Sequence, residues 1–348
     1  MSLPAGKVVA KVGYKRGILL GLAISGVGAL LFYPAASLPS YGFFLAALFI
    51  LASGIAFLQV AANPFVAGLG PKEGASSRLN LTQAFNSLGT TLAPFFGSYL
   101  FLANVGERSK LAAAQAVRLP YVGPALTLFL LADAVALFTL PRIASVEGDP
   151  GARSIRATLR VRHLVLGVVA IFVYVGAEVA IGSFLVSFLE QPEIGKLDPV
   201  TAARYVACYW GGAMVGRFAG SLVLRCIDAV KLFAICAAVA AALVGIALVA
   251  TGPLAMWSLL AVGLCKLSMF PTIFTLAVDG LGKLTSRASS LLVMAVVGGA
   301  VIPVLAGLVA DRFTLQTALA LPALCYAYVV FYGLRGSRHA ETRVPTAA

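Results

Sequence analysis

The chain is divided into apolar stretches of nearly equal length, and that length limits what it can become. About ten of them come close to the ~20 residues that cross a bilayer core. They run 17–36, 43–69, 79–103, 120–141, 161–189, 200–224, 231–250, 254–279, 288–310 and 315–335. Hydrocarbon offers a backbone polar group no water, so each such stretch must be a helix that satisfies its own hydrogen bonds. With 60% hydrophobic and 11% charged residues, a water-soluble domain could not bury this much apolar surface. The expected fold class is an all-α polytopic membrane protein.

The net charge of +13 is spread over alternating connections. One set carries Lys7, Lys11, Lys15, Arg16, Lys72 and Arg78, then Arg142, Arg153, Arg156, Arg160 and Arg162. It continues with Arg217, Arg225, Lys231, Lys283, Arg287, Arg335, Arg338 and Arg343. The other set holds only Arg108, Lys110, Arg118, Lys196, Arg204 and Arg312. The positive-inside rule puts the richer set, and both termini, in the cytosol. The basic excess thus records topology, and no nucleic-acid partner is expected. The longest polar cytosolic connection, 148–160, separates an N-terminal half, 1–147, from a C-terminal half, 161–348.

Catalytic chemistry has little material. The chain has 5 cysteines and 2 histidines. The cysteines show no Cys-x-x-Cys spacing and read as small buried hydrophobes. No His-Glu-x-x-His pattern is present, so neither metal nor cofactor is expected. A membrane-embedded enzyme would need a nucleophile–base pair or metal ligands at helical spacing; an enzyme is not expected.

What is unusual is polar. Gln59, Asn63, Asn80, Gln83 and Asn86 lie in neighbouring apolar spans. Amides there either join helices or line a wet cavity. Gln83 and Asn86 are three residues apart and share a helix face, with Asn80 one turn earlier on the same side. Asn63 precedes Pro64, which removes a backbone donor and frees a carbonyl; Asn63 either bonds that freed backbone or touches a solute. Glu178 and Asp133 are acids within spans, and Lys266 is a mid-span lysine that is costly unless paired. Glu178 is the leading partner for Lys266, with Asp133 second; otherwise Lys266 snorkels to a wet cavity. Tyr174, Tyr209 and Trp210 could stack on an apolar ligand face or pack, and Tyr174 is the one assigned to a ligand.

The two halves repeat. Ser77-Arg78, Gly89 and Pro94 recur as Ser286-Arg287, Gly298 and Pro303 with the same spacing. Asn63-Pro64-Phe65 and Phe270-Pro271-Thr272 precede these blocks in comparable helices. Parallel repeats around a midplane site are a transporter plan. In the second half Gly216-Arg217 closes the second helix, and Gly6-Lys7 has the look of the same feature in the first. Read this way, the chain carries about 10 of 12 helices, and the first and most of the second are missing. Arg78, Arg217 and Arg287 are then gate or topology residues at the cytosolic side, and Asp279 can pair with one of them.

Several ordered blocks resemble the fucose, glucose and galactose transporter branch of the major facilitator superfamily. They are Gln-Val-Ala-Ala-Asn-Pro-Phe-Val (59–66), Arg-Leu-Asn-Leu-Thr-Gln-Ala-Phe-Asn-Ser-Leu-Gly (78–89) and Tyr-Val-Gly-Ala-Glu-Val-Ala-Ile-Gly-Ser-Phe (174–184). Tyr-Trp-Gly-Gly-Ala-Met-Val-Gly-Arg (209–217), Phe-Pro-Thr-Ile-Phe-Thr-Leu (270–276) and the 289–300 block continue the match. The resemblance implies the major facilitator fold in two pseudo-repeated halves. It implies a monomeric carrier that moves a hexose or deoxyhexose across the bacterial inner membrane by alternating access, with a coupling cation, H+ or Na+, in the full-length form. It assigns Gln83 and Asn86 to the substrate and leaves Asn80, near its helix start, as a cap; Gln59, Asn63, Tyr174, Glu178 and Lys266 are nominated beside them as substrate contacts from their chemistry. Fucose–proton members carry a glutamate where this chain has Gln59, and an amide cannot titrate. Lys266 departs from the family pattern too. An inactive truncated carrier, or a carrier of another polar or anionic solute, is the alternative.

Overall fold

The computed structural model describes residues 1–37, 40–97, 118–141 and 158–337. The end of the third expected span, most of the 148–160 linker, and Arg108, Lys110, Arg142, Arg153, Arg156, Arg338 and Arg343 lie outside the described residues. The described residues form helices and no strands. The helices are α1 (Ser2–Val12), α2 (Tyr14–Ser37), α3 (Tyr41–Gly68), α4 (Ala75–Gly97) and α5 (Arg118–Leu137). Next come α6 (Arg162–Glu190), α7 (Pro199–Val223), α8 (Ala229–Val249), α9 (Gly252–Ala261) and α10 (Met269–Val278). Last are α11 (Thr285–Ala295), α12 (Gly298–Arg312), α13 (Leu315–Ala318) and α14 (Ala320–Phe331).

Among the described residues 7 helices are long and apolar enough to cross a membrane, and up to 8 if the bent pair Gly252–Lys266 and Met269–Val278 is one span. The described part of the expected span at 79–103 and the span at 200–224 also form helices, but their apolar character is diluted. Asn80, Gln83 and Asn86 interrupt the first, and Arg204 and Arg217 the second.

Two other expected spans are interrupted, the first by a bend and the second only by a turn within one 28-residue span, Thr285–Arg312. The span at 254–279 ends its first helix at Ala261, passes through a 3-10 turn at Leu264–Lys266, and bends by 42°. Pro271 is the cause: it has no N–H to offer Leu267 one turn back, so the backbone tightens and turns there. The span at 288–310 divides at Val296-Val297, ahead of Gly298, Gly299 and Pro303.

The chain separates into two compact units. The first comprises Met1–Leu69, Leu92–Arg153 and Leu281–Met294. Its core is a small-residue seam between α2 and α3. A side chain at Gly21 would strike the backbone of Leu58, one at Gly28 the backbone of Leu51, and one at Gly54 that of Ser25. Lipid tails are as apolar as leucine, so such helices gain by close backbone approach rather than by hydrophobic burial. Phe129 of α5 packs on Gly26, Tyr121 stacks on Phe32 with ring centres 4.2 Å apart, and Lys15 Nζ donates to the carbonyls of Ala136 and Phe138 at the end of α5. Ala5 and Val9 of α1 share a core with Val293 of α11, where Ser286 Oγ donates to the Gly6 carbonyl.

The second unit comprises Gly70–Thr91, Ser154–Gly280 and Ala295–Ala348. Here α6 packs on α12 so closely that a side chain at Gly298 would meet the Phe172 carbonyl, and one at Gly176 would meet Ile302. Asp198 and Asp228 cap α7 and α8, and Gln316 Nε2 donates to the carbonyls of Ala247 and Ala250 at the end of α8. The repeated Ser-Arg pair behaves alike in both units: Ser77 Oγ donates to the Ser221 carbonyl of α7, as Ser286 does to Gly6.

Candidate functional site

The second unit contains a buried charged cluster, which starts from the break before α10. The carbonyl that Pro271 leaves without its helical donor, that of Leu267, accepts a hydrogen bond from Asn80 Nδ2 at 2.7 Å. The same amide donates to the Arg217 carbonyl at 2.9 Å. Asn80 is wholly buried, so it is an interhelical clamp rather than the helix cap expected of it. The reason is position: α4 begins at Ala75, which puts Asn80 beyond the reach of the first turn. α7 can come this close because Gly220 has no side chain to strike the Leu267 carbonyl.

The break turns Lys266 inward. Its side chain is 0% exposed, and its ammonium lies 3.1 Å from Glu178 Oε1. It also lies over two aromatic faces, 4.0 Å from the Tyr209 ring centre and 4.3 Å from that of Trp210. The aromatic faces carry negative charge density that attracts a cation. Tyr209 and Trp210 meet edge to face at 5.4 Å, and Tyr209 Oη donates to the Glu178 carbonyl at 3.4 Å.

Glu178 serves a second cation. Arg217 Nη2 lies 3.3 Å from the same Oε1, with the two side chains 13% and 10% exposed. Arg217 Nη1 donates to Ser87 Oγ on α4 at 2.6 Å. Tyr174, one turn before Glu178 on α6, buries its phenol beside both Glu178 and Arg217. One carboxylate, two cations, three aromatic rings and a serine thus gather from α4, α6, α7 and the segment before α10.

The sequence-nominated residues fall into two groups. Glu178, Lys266 and Tyr174 come together, and Glu178 is indeed the acid beside Lys266; Asp133 is exposed on α5. Arg217, nominated as a gate or topology residue, joins the first group: its side chain is 13% exposed and pairs with Glu178. On α4, Gln83 is half-buried and Asn86 exposed, and neither side chain bonds a described residue. Gln59 is half-buried and Asn63 buried on α3 in the first unit; Asn63 Nδ2 has no hydrogen-bond partner among the described residues. Arg78 donates to the Pro71 carbonyl at 2.9 Å, Arg287 is half-buried on α11, and Asp279 meets the exposed Lys72 at 3.8 Å.

Sequence reasoning missed the partnership of Arg217 with Ser87 and left Tyr209 and Trp210 unassigned. One signal was available: Tyr209 and Arg217 are eight residues apart, a spacing that returns to one side of a helix. Among the described residues no group of three or more His, Cys, Asp or Glu could hold a metal ion.

The profile of the Major Facilitator Superfamily matches residues 1–303. The chain is 51% identical over 338 residues to a glucose/galactose transporter of Brucella abortus, covering 97% of this chain and 82% of that protein. It is 36% identical over 354 residues to the L-fucose-proton symporter of Escherichia coli, covering 95% and 80%. A crystal structure of the Escherichia coli fucose:proton symporter superposes with a TM-score of 0.89 at 34% identity, over 95% of this chain and 86% of that one.

Proposed function

The chain belongs to the major facilitator superfamily, and from that premise we propose that it carries a neutral hexose of the glucose/galactose type by alternating access. The observation that carries this reading is the amide pair on α4. Gln83 and Asn86 stand one turn apart, and neither side chain bonds another described residue, on a helix that Asn80 and Ser87 fix to the charged cluster. An amide offers two donors and a carbonyl acceptor, which is what a ring of hydroxyls needs. A carboxylate or ammonium there would favour a charged solute instead. Tyr174, in the same unit, is proposed as an aromatic contact.

The finer parts of the reading follow the same line. The relatives named for glucose and galactose support those sugars over fucose, and the one named a proton symporter supports H+ over Na+ as coupling ion. The charge asymmetry of the connections supports the inner membrane of a bacterium with both described ends in the cytosol. The repeat supports two halves, 1–147 and 161–348, in a monomer. Arg78, Arg287 and Asp279, near the cytosolic ends of their helices, are proposed gate residues.

The test is sugar exchange in proteoliposomes. Vesicles loaded with unlabelled galactose should take up labelled galactose and glucose in a saturable manner. Gln83→Ala and Asn86→Ala should each weaken exchange about 5–150-fold, the equivalent of a lost hydrogen bond at ~1–3 kcal/mol. Absence of exchange with every neutral hexose by the correctly inserted protein sinks the reading. Competition by galacturonate stronger than by galactose would move it to sugar acids.

A further inference from the structure

The buried cluster holds two cations and one anion. Lys266, Arg217 and Glu178 share a single carboxylate oxygen, so with every group charged the cluster carries one positive charge too many. Far from water that excess is expensive. Arginine keeps its proton in proteins, whereas a lysine ammonium can release one and remain as a neutral amine. With Lys266 neutral, Arg217 and Glu178 balance. With Lys266 protonated, Glu178 and the faces of Tyr209 and Trp210 hold the added charge. Both protonation states therefore have compensation built from residues already in place.

We infer that Lys266 is the proton-binding group that couples this carrier to the proton gradient. The inference rests on the carrier reading above. Gln59 cannot titrate and so is not the proton's seat. Glu178 is a poor one, because it would have to leave Arg217, which cannot discharge. The other titratable groups about the cluster are Tyr174 on α6, Tyr209 on α7 and Tyr326 on α14, with Cys265 next to Lys266 in the chain and Cys236 of α8 beside Cys265; α9 contributes none. A buried phenol or thiol offers only an anion on losing its proton, which would not carry a proton in and out at neutral pH. Trp210, half-buried beside the ammonium, is the screen that must move for the proton to exchange.

The experiment compares two transport modes in the same proteoliposomes. Exchange of labelled for unlabelled galactose needs no net proton movement, whereas accumulation driven by an imposed pH gradient does. With one proton per sugar, one pH unit sustains about tenfold accumulation. Wild type should perform both. In Lys266→Met and Lys266→Arg an imposed pH gradient should add no accumulation to whatever exchange each variant retains, the first because it holds no proton and the second because it never releases one. Exchange without gradient-driven accumulation in wild type, or accumulation by either variant at the wild-type level, overturns the inference and leaves the hexose reading standing. Loss of both modes in both variants assigns Lys266 to binding or folding and likewise overturns it. Absence of exchange in wild type is the separate failure of the hexose reading.

Discussion

Glu178 is the residue on which most depends, because two buried cations rely on it. Removing one partner of a buried ion pair leaves an uncompensated charge and typically costs about 3–5 kcal/mol. Glu178→Gln should therefore lower the thermal unfolding midpoint of the detergent-purified protein more than Lys266→Met does. The second change removes the surplus charge and leaves Arg217 its carboxylate. Equal losses, or a larger one for Lys266→Met, would refute the picture of a charge excess. Asn80 is a neutral counterpart. Asn80→Ala strips the donor from two carbonyls, of which Leu267's has no helical partner; a buried acceptor left unmade costs about 1–3 kcal/mol. Because Pro271 creates that acceptor, the penalty should shrink in a Pro271→Ala background. A double-mutant cycle on thermal stability reads this coupling directly.

At the scale of the helix, glycine decides which partners can meet. At Gly298 an added methyl would enter the Phe172 carbonyl, and at Gly28 it would enter the Leu51 backbone. Neither backbone can yield as a side-chain tip can. Gly298→Ala and Gly28→Ala should reduce the yield of monodisperse protein on size-exclusion chromatography. Gly245→Ala on α8, where nothing lies within 4 Å, should be neutral or stabilising, since alanine is the better helix former. The cap at Asp198 makes a pH prediction. Hydrogen bonds from Thr201, and then from the Val200 N–H, hold its carboxyl below the ordinary carboxylate range. A depressed value means its stabilisation is complete above the ordinary value and is lost as pH falls through the lower one. Asp198→Asn should flatten the part of the acid-side decline in thermal stability that this group contributes, measured between pH 6 and pH 3. An unchanged acid limb would remove Asp198 from the account.

For the whole molecule, the proposed orientation can be read with thiols. In a cysteine-free background, Lys196→Cys should react with a membrane-impermeant maleimide in intact cells. Lys72→Cys, whose native side chain is 86% exposed, should react only after permeabilisation. The reverse order would invert the topology and with it the positive-inside reading.

Much of this protein was set by the sequence. Span length and hydropathy required membrane helices, because hydrocarbon leaves the backbone no other way to satisfy its polar groups. The repeat of Ser77-Arg78 in Ser286-Arg287 was legible in its spacing, and in both copies the serine hydroxyl donates to a backbone carbonyl of another helix. Amides and charges in apolar spans were conspicuous for the same solvation reason, so Gln83, Asn86, Glu178 and Lys266 could all be named. What a linear pattern cannot carry is which faces meet. That Asn80 clamps two backbones, that Pro271 bends its span and turns Lys266 inward, and that Arg217 enters the cluster were all settled by tertiary packing. A helix presents every side chain once per turn, and only the approach of its neighbours, here through Gly220 and the freed carbonyl of Leu267, selects the side that becomes a site.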